Sequence, residues 1–264
     1  MSGLLQRTVG NLLRTIGNRP GSGSNGVGSS DEFSFPVYLV NLPRAKPRRK
    51  FALGQLADIG ATPVMVDAVD GRELNLDQLI ADGFYDPEKA DEAFSRQLSL
   101  PEIGCSMSHY NIYQKIVERD DPVSLVLEDD ALLLPGFADK LQLAYQELPQ
   151  GWGLLNLNCP CKRYERVGQT IVKYDGVGSL PVASSAYLIS KLGAELMLDN
   201  TLPLRYPADS LVGRGLRWGV ETYGVVPAIT SINNVFPTQI QPPIGVVGWT
   251  KATIKNTLAR LLFR

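Results

Sequence analysis

The chain has 264 residues, 44% hydrophobic and 20% charged, an ordinary globular composition with enough length to bury a sizeable core as one large or two small domains. Residues 1–30 and 243–264 hold seven of the 26 basic residues and none of the 27 acids, so the body between them carries 19 bases against 27 acids, a net −8. That distribution argues against a nucleic-acid-binding surface and points to basic ends that meet an anionic one; no run reaches the ~18 consecutive apolar residues needed to span a bilayer.

In chain order, Leu4, Leu5, Val9, Leu12, Leu13 and Ile16 recur at helical spacing around Arg7 and Arg14, which predicts a short basic amphipathic helix. It lacks the uninterrupted apolar stretch of a secretory signal. Residues 20–31, PGSGSNGVGSSD, read as a flexible linker. The expected organisation is therefore a basic segment plus linker over 1–33, a folded domain over 34–245, and a basic amphipathic helix over 246–264.

Residues 35–41 predict a buried strand, 44–60 a helix ended by Gly60, and 62–68 a second strand closed by the turn Asp70-Gly71. Strand, helix, strand in about thirty residues is a βαβ unit and implies a parallel sheet. Residues 72–100 read as short mixed elements. A helix over 103–119, a strand over 123–127, a helix over 137–148 and a strand over 152–157 follow. Further strands are expected at 169–174 and 182–189, a helix at 191–198, and a last short strand beginning at Val225. The fold class is α/β.

The most informative stretch is Ser124-Leu125-Val126-Leu127-Glu128-Asp129-Asp130, an apolar strand that runs straight into three carboxylates. Adjacent acids flanked by core are costly unless a cation neutralises them. Hard oxygen ligands suit Mg²⁺ or Mn²⁺, ions that commonly also hold substrate phosphates. The three cysteines, Cys105, Cys159 and Cys161, are odd in number, and the last two are too close for a typical disulfide. A reducing compartment is the simpler reading, and the cysteines with the single histidine, His109, are not expected to form a zinc site. No Gly-x-x-x-x-Gly-Lys loop supports a phosphoryl-transfer reading.

Several separated segments, in order, resemble glycosyltransferase family 25, which includes lipooligosaccharide galactosyltransferases and collagen galactosyltransferase domains. They are Val40-Asn41-Leu42-Pro43-Arg44 through Arg49, Asp67-Ala68-Val69-Asp70-Gly71, Glu102-Ile103-Gly104-Cys105-Ser106-Met107-Ser108-His109, Leu127-Glu128-Asp129-Asp130, Ser185-Ala186-Tyr187-Leu188-Ile189-Ser190 and Pro207-Ala208-Asp209. Pro101 stands where the family's signature has glycine. The resemblance implies an A-type glycosyltransferase fold, a Rossmann-like and mostly parallel sheet flanked by helices. It also implies an inverting transfer of galactose from UDP-galactose to a saccharide, lipid-linked as in lipopolysaccharide synthesis. A glucosyltransferase of the same fold and an inactive nucleotide-sugar-binding module are the alternatives.

Within that frame, Asp130 is expected to touch the divalent ion and Glu128 to support the ion or the nucleotide. On a strand these two would share a side, with Asp129 opposite. Arg44, Arg48 and Arg49 follow the first strand, where a guanidinium can fork onto phosphate or a uracil carbonyl, or simply start a solvated helix. Asn41 would bond the base or backbone. Asp70 is a nucleotide contact or a turn residue. Ser106, Ser108 and His109, read as lying in the first turns of a helix, would face the diphosphate; a lone histidine is as readily a packed structural residue. Cys105 is expected to pack. Asp209 is the candidate base for the acceptor hydroxyl, or a helix N-cap, with Glu221 in reserve. Asn156 and Asn158 would meet a sugar hydroxyl or cap the sheet. The expected partners are a UDP-sugar and a saccharide or glycolipid acceptor, with no nucleic acid. The expected location is cytoplasmic, with the two ends resting peripherally on the inner membrane face.

Overall fold

In the computed structural model, which describes residues 33–158, 164–174, 183–233, 235 and 236, the first strand β1 (Val37–Asn41) is buried along its whole length. It lies between two parallel neighbours, β2 (Pro63–Asp67) and β3 (Val123–Glu128), and its residue Val40 pairs with Glu128. The connection from β1 to β2 is helix α1 (Lys46–Asp58), after which Gly60 takes a left-handed φ of 70°. The connection from β2 to β3 passes back over β1 through α2 (Leu76–Ala81), α3 (Pro87–Phe94) and α4 (Leu100–Glu118). The chain thus leaves β1 first to one side and then to the other, and a crevice opens at the carboxyl ends of β1 and β3.

Helix α4 begins three residues earlier than its apolar periodicity predicts. Ser99 and Glu102 form a reciprocal capping box, and Pro101 sits in the first turn, where its missing N–H costs nothing. Arg96 forks onto both oxygens of Glu102 at 2.9 and 2.6 Å. His109 therefore lies in the middle of this helix, beyond reach of the amino-terminal dipole invoked for it from sequence. Two glycines set the height of α4 over the β2 loop. A Cβ on Gly104 would lie 2.6 Å from the Val69 carbonyl oxygen, and one on Gly71 would lie 2.4 Å from that of Leu100.

After β3 come β4 (Ala131–Leu133), α5 (Phe137–Gln146), β5 (Leu154–Asn156), β6 (Tyr164–Arg166), β7 (Ile171–Tyr174), β8 (Ala186–Ser190), α6 (Lys191–Thr201), α7 (Ala208–Arg214), β9 (Thr222–Val225) and β10 (Thr230–Ile232). Eight strands form one sheet in the order β2-β1-β3-β8-β5-β9-β7-β6, and β4 pairs with β10 separately. Pairing directions make six of the eight run one way, with β8 and β7 opposed. The sheet is mixed, as the α/β reading allows: most of its strands share one direction, while three of its seven neighbouring pairs are parallel and four antiparallel. The last strand expected from Val225 is displaced: β9 ends there, and Pro227, which has no N–H for a ladder, separates it from β10.

Side chains alternate across the sheet. Val37, Leu39, Leu125, Leu127 and Leu188 join Ala52 and Leu56 of α1 and Phe137 and Leu141 of α5 in one core. Tyr38, Val126, Tyr187 and Ile189 are buried at intervening positions, as are Ile103, Ile112, Tyr113 and Ile116 of α4. No helix of the described residues is long and apolar enough to cross a membrane. The basic amphipathic ends, Cys159 and Cys161 lie outside the described residues.

Candidate active-site cleft

The crevice at the switch point is a cleft holding about 770 Å³ of space, counting its open mouth. Asn41 and Arg44 come from the end of β1, Arg48 from α1, and Asp70 from the loop after β2. Cys105, Ser108 and His109 come from α4, and Glu128, Asp129 and Asp130 from the end of β3. Eight residues singled out from sequence therefore meet: Asn41, Arg44, Arg48, Asp70, Ser108, His109, Glu128 and Asp130.

The three acids do not alternate as a continued strand would. β3 stops at Glu128, and Asp129 and Asp130 form a turn. Arg48 spans both, with Nη1 2.8 Å from Asp129 Oδ1 and Nη2 2.5 Å from Asp130 Oδ2. Asn41 Nδ2 donates to Asp129 at 2.6 Å. Part of the neutralising cation that the sequence demands is thus the chain's own guanidinium. Burial, then the charge of Glu128, pushes the Asp130 carboxyl up to about 6 despite Arg48. Its Oδ1 is buried with no hydrogen-bond partner among the described residues, as is Asn41 Oδ1. Orphaned acceptors beside acids fit a further cation.

Glu128 turns to the opposite wall. His109 Nε2 lies 3.2 Å from its Oε1, and His109 Nδ1 lies 2.8 Å from the buried Tyr187 hydroxyl. Burial works to raise the Glu128 carboxyl, but bonds from His109 and Ser184 and the Arg48 charge hold it below its ordinary value. Ser184 Oγ stands 2.5 Å from Glu128 Oε1 and 2.7 Å from Asp209 Oδ1. A hydroxyl has one hydrogen, so Ser184 can donate to only one of the two carboxyls at a time. Asp209 reaches the surface, but its Oδ1 turns inward onto the Ser184 hydroxyl and amide, and burial followed by the Glu128 charge raises its carboxyl above the ordinary value.

Ser108 Oγ donates to the Gly104 carbonyl at 2.7 Å and accepts from the Val69 amide at 2.9 Å, fixing the β2 loop. Asp70 is a cap and a charge partner at once: it accepts from the Arg72 amide and pairs with Arg44 and Arg72. Neither Asp209 nor Glu221 lines the cleft: Asp209 connects to it through Ser184 and Glu128, and Glu221 pairs with Lys173 at 2.6 Å. Asp209 is not the N-cap of α7; Pro207 holds that position. Asn156 is buried and bonds the Ala183 carbonyl and the Asn158 amide, a sheet-end brace. Cys105, expected to pack, lines the cleft. Asp129, Ser184 and Tyr187 were not singled out as site residues. Tyr187 lies inside a quoted segment and Ser184 immediately precedes it, but nothing in the local pattern says that Ser184 faces Glu128 across 56 residues.

The model of glycosyltransferase family 25, described as an LPS biosynthesis protein, matches residues 35–177, more than half of the chain. The chain belongs to glycosyltransferase family 25. The match takes in β1 through β7, and with them the arginines, the α4 residues and the acids of the cleft. Among similar proteins, procollagen galactosyltransferase 1 of Danio rerio is 31% identical over 195 residues, covering 67% of this chain and 32% of that protein. Procollagen galactosyltransferase 2 of Homo sapiens is 34% identical over 195 residues, covering 64% and 30%. A probable inactive glycosyltransferase 25 family member 3 of Rattus norvegicus is 28% identical over 191 residues, covering 67% and 32%. The chain spans about a third of the length of these curated relatives.

Proposed function

We propose that the cleft transfers a hexose, with UDP-galactose as donor, to a saccharide acceptor with inversion at the anomeric carbon. The observation that carries this reading is the meeting of four carboxylates and three arginines at the switch point of a family 25 chain. Relatives named galactosyltransferases support galactose as the sugar. The orphaned Asp130 Oδ1 and the acids around it fit a divalent ion, Mn²⁺ or Mg²⁺, held by Asp130 and Glu128. Bound there, the ion would stabilise charge on the departing diphosphate.

The chain's own residues supply the rest. Arg44, steadied by Asp70 and partly exposed, stands where a guanidinium can fork onto phosphate oxygens, while Arg48 is taken up by its two acids and holds them in place. Asn41 and Ser108 hold the loops against which the nucleotide would lie. Asp209 serves as base. Its hydrogen bonds run through Oδ1, leaving Oδ2 for an acceptor hydroxyl. As a carboxylate it can take the hydroxyl proton, and the nearby Glu128 charge, by raising it, makes it a stronger base. A lipid-linked acceptor suits the basic ends, and liposome flotation of the full chain against residues 34–245 tests it: equal flotation removes the membrane part.

The decisive assay is UDP release from a panel of UDP-sugars, with and without Mn²⁺, over a range of acceptors. Galactose-dependent release is expected. An Asp209→Asn protein should lose about 100-fold or more in kcat; retained wild-type turnover removes Asp209 as base. A second reading, an inactive sugar-nucleotide-binding module, is favoured by the relatives named inactive. Tight UDP-sugar binding without release under any condition would select it.

A further inference from the structure

Cys105 and His109 are four residues apart on α4 and project from one face of it. Across the cleft stands Glu128. The Cys105 sulfur, a ring nitrogen of His109 and a carboxylate oxygen of Glu128 all lie within 4.8 Å of one another. Ligands on one tetrahedral ion with ordinary sulfur, nitrogen and oxygen bond lengths stand about 3.5 Å apart. The His109 Nε2 to Glu128 Oε1 distance of 3.2 Å already meets that spacing, and the sulfur, within 4.8 Å of both, must draw in by at most about 1.3 Å.

The histidine is also held as a metal ligand is held. Its other nitrogen meets Tyr187, whose hydroxyl bonds that of Tyr113 at 3.2 Å, and all three side chains are buried. Such an outer bond fixes the ring so that the inner nitrogen faces the ion. Sulfur and imidazole are soft or borderline donors that select Zn²⁺ or Co²⁺ over Mg²⁺ and Mn²⁺, whereas Asp129 and Asp130 offer only hard oxygen.

We propose that Cys105, His109 and Glu128 form a zinc-class transition-metal site, separate in chemistry from the carboxylate site at Asp130 and sharing only Glu128 with it. Three protein ligands leave the fourth position open to the cleft. The thiol gives up its proton to solvent as the metal binds. Glu128 already turns to this side, so an ion here keeps it from the Asp130 site. If the cleft transfers hexose as proposed above, zinc is then an inhibitor of that reaction.

The test is Co²⁺ titration of the full chain, followed by its sulfur-to-cobalt charge-transfer absorption. The expected result is a one-equivalent band that Zn²⁺ displaces. It should be lost in Cys105→Ser, reduced at least tenfold in affinity in His109→Gln, and unchanged in a Cys159→Ser/Cys161→Ser protein. Circular dichroism melts show that each variant is folded. Absence of any thiolate band in the wild-type chain overturns the proposal. So does a band that survives Cys105→Ser and vanishes with Cys159 and Cys161. The spectrum needs no turnover, so failure of the transfer reading leaves this result standing, and failure here leaves the UDP-release assay untouched.

Discussion

The two walls of the cleft solve the same electrostatic problem in different ways. On the wall made by β1, α1 and the turn after β3, two acids are neutralised inside the chain by Arg48 and steadied by Asn41. On the wall made by α4, β3 and the segment before β8, Glu128 has no guanidinium of its own; it meets His109 and Ser184, and the serine passes the interaction on to Asp209. The first wall is a closed ion cluster. The second is a chain of hydrogen bonds whose protons can be redistributed. On the transfer reading proposed above, the first wall would face the charged donor and the second would move the proton.

The comparison breaks most directly at Arg48. An Arg48→Ala protein leaves Asp129 and Asp130 buried without their cation and should lose about 3–5 kcal/mol in urea unfolding. If the acid wall is closed as described, lowering the pH restores part of that loss. Asp130→Asn acts oppositely on stability and function. Because burial raises the native pKa of Asp130 to about 6, well above the unfolded value, its ionised form opposes folding. The penalty grows as pH rises from about 4 to 6 and is full above that. The variant should therefore melt higher than wild type at pH 7, with the gap closing at pH 4, while metal-supported UDP release falls about 10²–10³-fold.

A smaller effect tests what keeps the walls apart. Gly104→Ala drives a Cβ into backbone atoms of the β2 loop, so something must shift, at a cost of about 1–3 kcal/mol. Differential scanning calorimetry measures it, and the loop that carries Asp70 should lose amide-exchange protection first. The smallest concerns Glu102→Gln at the start of α4. Burial works to raise Glu102, but the Arg96 and Ser99 bonds outweigh it and hold the carboxyl below its ordinary value. Its contribution is present at neutral pH and disappears as pH falls through the native pKa. The variant should be about 1 kcal/mol less stable at pH 7 and equal to wild type in strong acid.

Where the sequence speaks locally, it is legible. The βαβ start, the apolar strand before Glu128 and the amphipathic helices follow from period and punctuation, and the family segments gathered eight residues that meet in one cleft. What was hidden is long-range or geometric. The end of β3 at Glu128 turns Asp129 toward Arg48, and no alternation rule foresees a turn beginning between two acids. Ser184 carries no local signal at all. The capping box at Ser99 was present in the sequence, and reading it would have moved the helix start and taken His109 away from the amino end.

The same contrast bears on how the molecule assembles. The start of α4 is specified within a few residues, with Arg96 and Glu102 only six positions apart. The cleft depends on partners 56, 82 and 88 positions apart. Local contacts close with little loop entropy and distant ones do not. Cys105, Ser108 and His109 can thus stand in order on a nascent helix before any acid has arrived. The recognition surface is completed by the slow docking of β3 and the segment before β8, which makes cleft formation a late event in folding.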